Sequence, residues 1–257
     1  MSLIRTALRL QAIETLNSDP VILSLVQGRV FDSRISALDH REPVPVILVT
    51  TEETKGEAWS KQNGGSPFGL TCDLILEIAM NAISGDGDDA TINYVGTDRE
   101  LEAALDLIEE RAVEVLTVGE TGAARLLREH VVKRVPRMAS SRFATDQTGE
   151  KLAIRLLTLT VEMFTYTPDE PLDAPTGRYA AFPEPLRTLA PFFAADGSAR
   201  QTCDLLAAQM APVAVDLPAP TPFSGVDMTI APHDLAAAPD QAADIAAGSV
   251  ILATANP

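Results

Sequence analysis

Residues Leu70–Met80, reading LTCDLILEIAM, alternate for eleven positions between two rows. Leu70, Cys72, Leu74, Leu76, Ile78 and Met80 form an apolar row, and Thr71, Asp73, Ile75, Glu77 and Ala79 a mostly polar one. A period of two is that of a strand with one face in a core and the other in water or against a partner. The run is about twice the usual ~5–6 residues, so it is expected to cross the full width of its sheet.

The rest of the chain supplies partners for that strand. Ser2 to Leu16 carries Ile4, Ala7, Leu8, Ala12 and Leu16 at helical spacing. Asp19 is placed to cap a second short helix with Pro20 at its first position and Gly28 at its close. Arg29–Ile35 reads as a strand. Val44–Thr51 is almost wholly apolar and reads as a strand covered on both faces, with Pro45 at its start or on an edge. Glu52–Phe68 reads as a long polar connection holding Lys55, Trp59, Lys61, Gln62 and Gly64-Gly65. If the flanking strands pair, that loop far exceeds the usual two to five residues of a hairpin.

Thr97 and Glu100 form a capping box, followed by the stripe Leu101, Leu105, Ile108, Ala112 and Leu116. Thr117 and Glu120 repeat the box ahead of a helix at Ala123–Val131. Met138–Thr145 and Lys151–Tyr166 then read as a hairpin joined through Asp146-Gln147-Thr148-Gly149-Glu150. In its second strand Leu152, Ile154 and Leu156 share one face, and Leu157, Leu159, Val161 and Met163 the other. Either both faces are buried or a bulge near Leu156 shifts the phase.

Beyond Thr167 the texture changes. Thirteen of the 18 prolines lie there, with Arg178, Arg187 and Arg200 as the basic residues. Pro185–Ala194 and Ser198–Met210 are expected to be helical, the latter opened by a Ser198–Gln201 capping box. Ala211–Asp240 reads as an extended arm or linker, and Ser249–Ala253 as a strand. These elements predict an α/β (α+β) fold. Its mixed or antiparallel sheet has about four to five strands flanked by helices, over residues 1–166. A Pro/Ala-rich extension with short helices follows at 167–257.

Composition narrows the function. The net charge of −16 in 257 residues argues against a grip on nucleic acid, which needs Lys and Arg in excess. Beside DNA such a surface suits a passage through which the duplex slides. Cys72 and Cys203 read as small buried hydrophobes of a reducing compartment. No apolar run approaches 18 residues and Met1–Leu16 lacks a signal-peptide core, so the expectation is a soluble protein made in a cytoplasm.

Chemistry is hard to find. His40, His130 and His233 are scattered without ligand spacing, and no Ser sits in a Gly-x-Ser-x-Gly turn. Ser84–Asn93 resembles a calcium loop, but Thr91 and Thr97 stand where glycine and glutamate are required. Glu109-Glu110 and Asp88-Asp89 read as solvated charge. No catalytic residue, metal or cofactor is expected. Trp59, the chain's one tryptophan, has two readings: folded back over the sheet, or an anchor at an interface.

Four stretches carry a resemblance. They are LSLVQGRVFDSRI (Leu23–Ile35), PVPVILVTTEE (Pro43–Glu53), GLTCDLILEIAMNAI (Gly69–Ile83) and VPRMASSRFATDQTGEKLAIRLLTLTVEMFTY (Val135–Tyr166). Together they resemble the tail terminator, or tail completion, proteins of long-tailed bacteriophages and gene transfer agents, over about residues 1–166. Gly28, Arg29, Val30, Phe31 and Asp32 match that family's G-R-[VI]-[FY]-D motif, and Pro45, Ile47 and Val49 its P-x-[IV]-x-[VL] strand. The extra helix at Ala123–Val131 and residues 167–257 depart from the family pattern.

The resemblance implies a structural virion protein, assembled in the host cytoplasm, that forms a homo-hexameric ring on the tail tube. The ring stops tube growth and meets the head–tail connector or stopper protein. DNA passes through it without sequence-specific binding, and no membrane is involved. Lys55, Trp59, Lys61, Gln62, Asp146 and Glu150 are the expected protein interface. Asp73 and Glu77 have two readings, a solvated strand face or part of an acidic channel wall. A head–tail adaptor or tail tube subunit is the alternative within this class, and a hydrolase using Glu109, Asp88 or His130 the alternative outside it.

Overall fold

The computed structural model describes residues 2–33, 45–58, 60, 62, 64–65, 67–81, 98–145, 152–164, 176–210, 228–230 and 248–250. The chain divides into two compact units, Met1–Ala211 and Pro212–Pro257. The first holds a five-stranded mixed sheet, flanked by helices, of the α+β class the sequence predicts. Its strands are β1 (Val30–Asp32), β2 (Val46–Ala58), β3 (Phe68–Asn81), β4 (Val132–Thr145) and β5 (Leu152–Met163). They lie in the order β1-β2-β3-β5-β4, with β1–β2 parallel and every other pair antiparallel.

β3 is the middle strand. Leu70, Cys72, Leu74, Leu76 and Ile78 are buried, while Thr71, Asp73, Ile75 and Glu77 are half-buried, as the alternation requires. The buried row packs with Ile47 and Val49 of β2 and Leu157, Leu159, Val161 and Met163 of β5. Over that face lie the helices α1 (Ser2–Asn17) and α3 (Asp98–Val118). Leu10, Gln11, Ala12 and Ile13 of α1 are buried in succession, so this helix is covered on all sides. The sheet lies on one side of it, and α2 (Pro20–Val26), α3 and α4 (Gly122–Leu126) also pack against it. In α3 the expected stripe is inside, with Leu105, Ile108, Ala112 and Leu116 buried. Each such Leu or Ile contributes about 1.5–3 kcal/mol of burial.

Polar contacts fix these layers in register. Asp19 caps α2, its Oδ1 accepting from Val21 N at 3.0 Å and Ile22 N at 2.9 Å. Gln27 ends the helix at φ 52° and Gly28 follows at φ 74°, the left-handed region where glycine is unstrained. Asp32 of the GRVFD stretch takes the guanidinium of Arg9, which ties α1 to β1. Gln11 Nε2 donates to the Ala123 carbonyl at 2.8 Å, joining α1 to α4.

Several boundaries differ from expectation. β2 continues to Ala58 and pairs with β3 down to Ala58↔Phe68, so Glu52–Ala58 and Phe68 of the expected loop at Glu52–Phe68 are strand. Residues 52–57 have almost no covered face, and a strand exposed on both sides shows no apolar row. In β5 the register with β3 runs unbroken from Leu70↔Met163 to Asn81↔Leu152, so no bulge sits near Leu156. The shifts fall in β4 instead, between Val132 and Arg134 and between Arg134 and Arg137. Ile154 packs with Val46, Leu48, Ala79 and Phe31 in a small second cluster on the opposite face of the sheet. Thr121, not Thr117, caps α4, accepting from Ala124 N at 3.2 Å; Thr117 stays within α3 and donates to the Val113 carbonyl. The expected helix at Ala123–Val131 is α4 followed by one π-helical turn at Leu127–Val131.

The largest difference lies past residue 166. Tyr179, Phe182, Leu186, Leu189, Ala190, Phe193, Ala199 and Cys203 are buried in the same core as α1 and the sheet. The compact unit therefore runs beyond the expected boundary at 166, to Ala211. Its last elements are α5 (Leu186–Leu189), a 3-10 turn at Ala190–Phe192, and α6 (Ser198–Met210). Arg200 clips them together. Its guanidinium lies 5.6 Å from the centre of the Tyr179 ring, and its Nη2 donates to the Pro191 and Phe193 carbonyls, each at 2.9 Å. Gln201 donates its side chain to the Asp196 carbonyl rather than closing a box with Ser198. In the second unit Met228–Ile230 (β6) pairs antiparallel with Gly248–Val250 (β7).

Candidate interaction surfaces

The expected interface residues separate into two groups. Lys55 is exposed on β2, 3.1 Å from Glu53, and Gln62 is exposed in the turn beyond it. Trp59, Lys61, Asp146 and Glu150 lie outside the described residues, as do Ser84–Asn93, Asp88, Thr97, His40 and His233. Asp73 and Glu77 both lie on the face of β3 turned away from the α1 and α3 layer. Asp73 Oδ1 accepts from Thr160 Oγ1 of β5 at 2.8 Å, and Glu77 stands in register between Leu48 and Leu156. A carboxylate held by a neighbouring hydroxyl at half burial is an ordinary strand-face arrangement.

Three further features went unnoticed in the sequence. The first is a buried ion pair. The Asp19 side chain is 2% exposed and takes Arg111 of α3 on both oxygens, at 3.1 Å to Oδ1 and 2.5 Å to Oδ2. The bond from Arg111, assisted by the Val21 and Ile22 amides, holds the Asp19 carboxyl below the usual aspartate range against the pull of burial. Arg111 also reaches Glu114 at 2.7 Å. A cleft of about 540 Å³ opens beside them, lined also by Val118, Gly119, Glu120 and Thr121.

The second is a carboxylate cluster around Arg155, which stands on the core row of β5. Glu102 Oε2 lies 3.2 Å from Arg155 Nη2, Asp106 contacts the same nitrogen, and Glu109 Oε2 lies 3.2 Å from Nε without hydrogen-bond geometry. Arg142 of β4 reaches the other oxygen of Glu102 at 2.5 Å. A cleft of about 290 Å³ between α3 and β4 is lined by Asp106, Glu109, Glu110, Val113, Met138, Ser140 and Arg155. Its geometry pins α3 against the sheet. Glu109, the candidate acid–base residue, is one strut of that lattice. Among the described residues no group of three or more His, Cys, Asp and Glu side chains is arranged to hold a metal ion.

The third is the outer strand itself. β4 carries Lys133, Arg134, Arg137 and Arg142 and no acidic residue, and residues 136–143 are all exposed. Glu162 of β5 takes both Lys133, at 2.8 Å, and Arg134. These two cations keep the Glu162 carboxyl below its usual range. Met138 and Phe143 are 57% and 51% exposed on this strand, which is unusual for apolar side chains on an open edge.

Both cysteines are buried and free. Burial raises the Cys72 thiol, with Thr54 Oγ1 donating to its sulfur at 3.4 Å as a partial offset. Cys203 is pushed up to about 11, by burial first and then by Asp204. Neither is a nucleophile at neutral pH. Among the described residues no helix is long and apolar enough to cross a membrane. No protein-family model matches the chain, and no curated protein matches it.

Proposed function

We propose that the chain is a structural protein of the phage neck, a tail terminator whose homo-hexameric ring caps the tail tube and joins it to the head connector. The observation that carries this reading is the order of elements. A helix pair leads through Gly28–Asp32 into β1, the apolar β2 and the alternating β3 follow, and a long helix precedes the closing β4–β5 hairpin. Up to the long helix, that is the succession which the resemblance in residues 1–166 implies; α4 and a hairpin in place of one final strand are additions to it. The function lies in binding geometry. Subunits associate side by side, one end of the ring covers the last tube ring, and the other is offered to the connector or stopper protein. Asp73 and Glu77 are on the face without α1 and α3. If that face lines the bore, their charge keeps DNA from adhering as it passes.

Electron microscopy and light scattering of the purified protein, alone and mixed with purified tail tubes, test the reading. Closed rings, or particles seated at one end of each tube, are the expected result. A monomer at every concentration that also fails to bind tubes would overturn it. Long filaments of the protein alone would replace it with a tube subunit.

A further inference from the structure

We infer that the outer edge of β4 is the docking site for a second copy of this chain, which brings the free edge of its own β2, residues 50–58. This rests on the ring proposed above and names the surfaces that would join its subunits. β1 covers β2 only at Ile47, Leu48 and Val49, so from Thr50 onward that side of β2 has no strand beside it among the described residues. At the other end of the strand order, β4 has β5 on one side and no described strand on the other. Among the described residues one chain thus carries two open edges.

The two edges differ in sign. Residues 50–58 hold Glu52, Glu53 and Glu57 against Lys55, and the Glu53–Lys55 pair leaves Glu52 and Glu57 uncompensated within the strand. The four charges of β4 are all basic. Glu162 answers two of them and Glu102 a third, already shared with Arg155. For Arg137 no described carboxylate is within ion-pair reach. Opposite charges favour an unlike pairing of edges and oppose β4–β4 or β2–β2 contacts.

The shape of β4 also limits where a strand can add. Two register shifts and Pro136, which has no N–H to donate, blunt residues 132–137. From Met138 to Thr145 the register with β5 is regular. This regular stretch holds the exposed Met138 and Phe143, apolar surface that an added strand would cover. Because the contact joins unlike surfaces, it is head-to-tail. It propagates from copy to copy rather than stopping at a two-fold dimer, and gives the proposed ring when the rotation per copy closes.

Charge reversal of each edge tests this. The β4 variant is Arg137→Glu with Ser141→Glu, and the β2 variant is Glu52→Lys with Glu57→Lys, all at exposed positions. Each alone is expected to remain monomeric at a concentration about tenfold above that at which the parent protein assembles. Mixed one to one, they are expected to assemble together, the two variants alternating. The intact β2 edge of the first meets the intact β4 edge of the second, and the reversed β4 edge of the first meets the reversed β2 edge of the second. Such co-assembly also shows that both variants are folded. All four substitutions in one chain are expected to restore assembly. If the parent forms rings and both variants do so equally well, these edges are not the interface, yet the ring reading stands. Folded variants that stay monomeric when mixed also overturn the inference. A parent that neither self-associates nor binds tubes overturns both readings.

Discussion

β3 and β4 are strands of fourteen residues that both pair with β5, one on each side of it. β3 buries every second side chain beneath α1 and α3, whereas β4 is exposed from Pro136 through Phe143. Their ion pairs divide in the same way. Behind β3, Asp19 meets Arg111 with the carboxylate sealed from solvent, while on β4 the Lys133–Glu162 and Arg134–Glu162 pairs are open to water. Position in the sheet therefore decides what a side chain is worth. The inner strand carries stability, and the outer one is free to carry recognition.

Substitutions can break or sharpen that contrast. Leu76→Ala is expected to have the largest effect, a loss of about 3 kcal/mol in urea unfolding, because Leu76 is wholly buried in the middle strand. A loss below about 1 kcal/mol would mean that the face under the helices is loosely packed. Asp19→Ala comes next. The lost cap alone is worth about 1–2 kcal/mol, and Arg111 is left without its buried partner. Since the folded carboxyl titrates below the unfolded value of about 3.9, its contribution is complete above that pH. It is lost as the pH falls through the folded value. Melting curves of parent and variant should accordingly converge in acid and stay apart at neutral pH. Divergence that grows in acid would remove the ion pair from the account.

Smaller effects probe the other side. Neither Cys72 nor Cys203 should react with a thiol reagent near neutral pH until denaturant is added, as both thiols are buried and raised. Met138→Ala on the open edge is expected to change stability by no more than about 0.5 kcal/mol. Glu162→Gln should leave the melting temperature unchanged at both low and high salt. A marked fall for either would show that β4 is part of the core.

What was legible in the sequence follows the same division. β3 could be read because its two faces meet different surroundings. So could α3, whose stripe faces the sheet. The second half of β2 was not legible, since TEETKGEA has no covered face to impress a pattern on it. Residues 176–210 read as part of an extension because they follow the point past Thr167 where prolines concentrate. Yet Phe182, Leu186, Leu189 and Phe193 recur at helical spacing, and all four are buried. That stripe was the available signal. Asp19 could be recognised as a cap, but its bond to Arg111 spans most of a hundred residues, and no local pattern announces it. The charge of β4 was likewise present in the sequence. It gained meaning only once the topology put that strand on the outside.

The connectivity of the sheet bears on how the molecule forms. β2–β3 and β4–β5 are ladders between successive strands, but the β3–β5 ladder joins strands with all of α3 and α4 between them. Distant pairing must overcome loop-closure entropy before it gains any contact. Two hairpins should thus arise early and separately, and their seam should set the refolding rate. Amides that bond across β3–β5 are then the last to gain protection in pulsed hydrogen exchange, although the finished protein shelters them most.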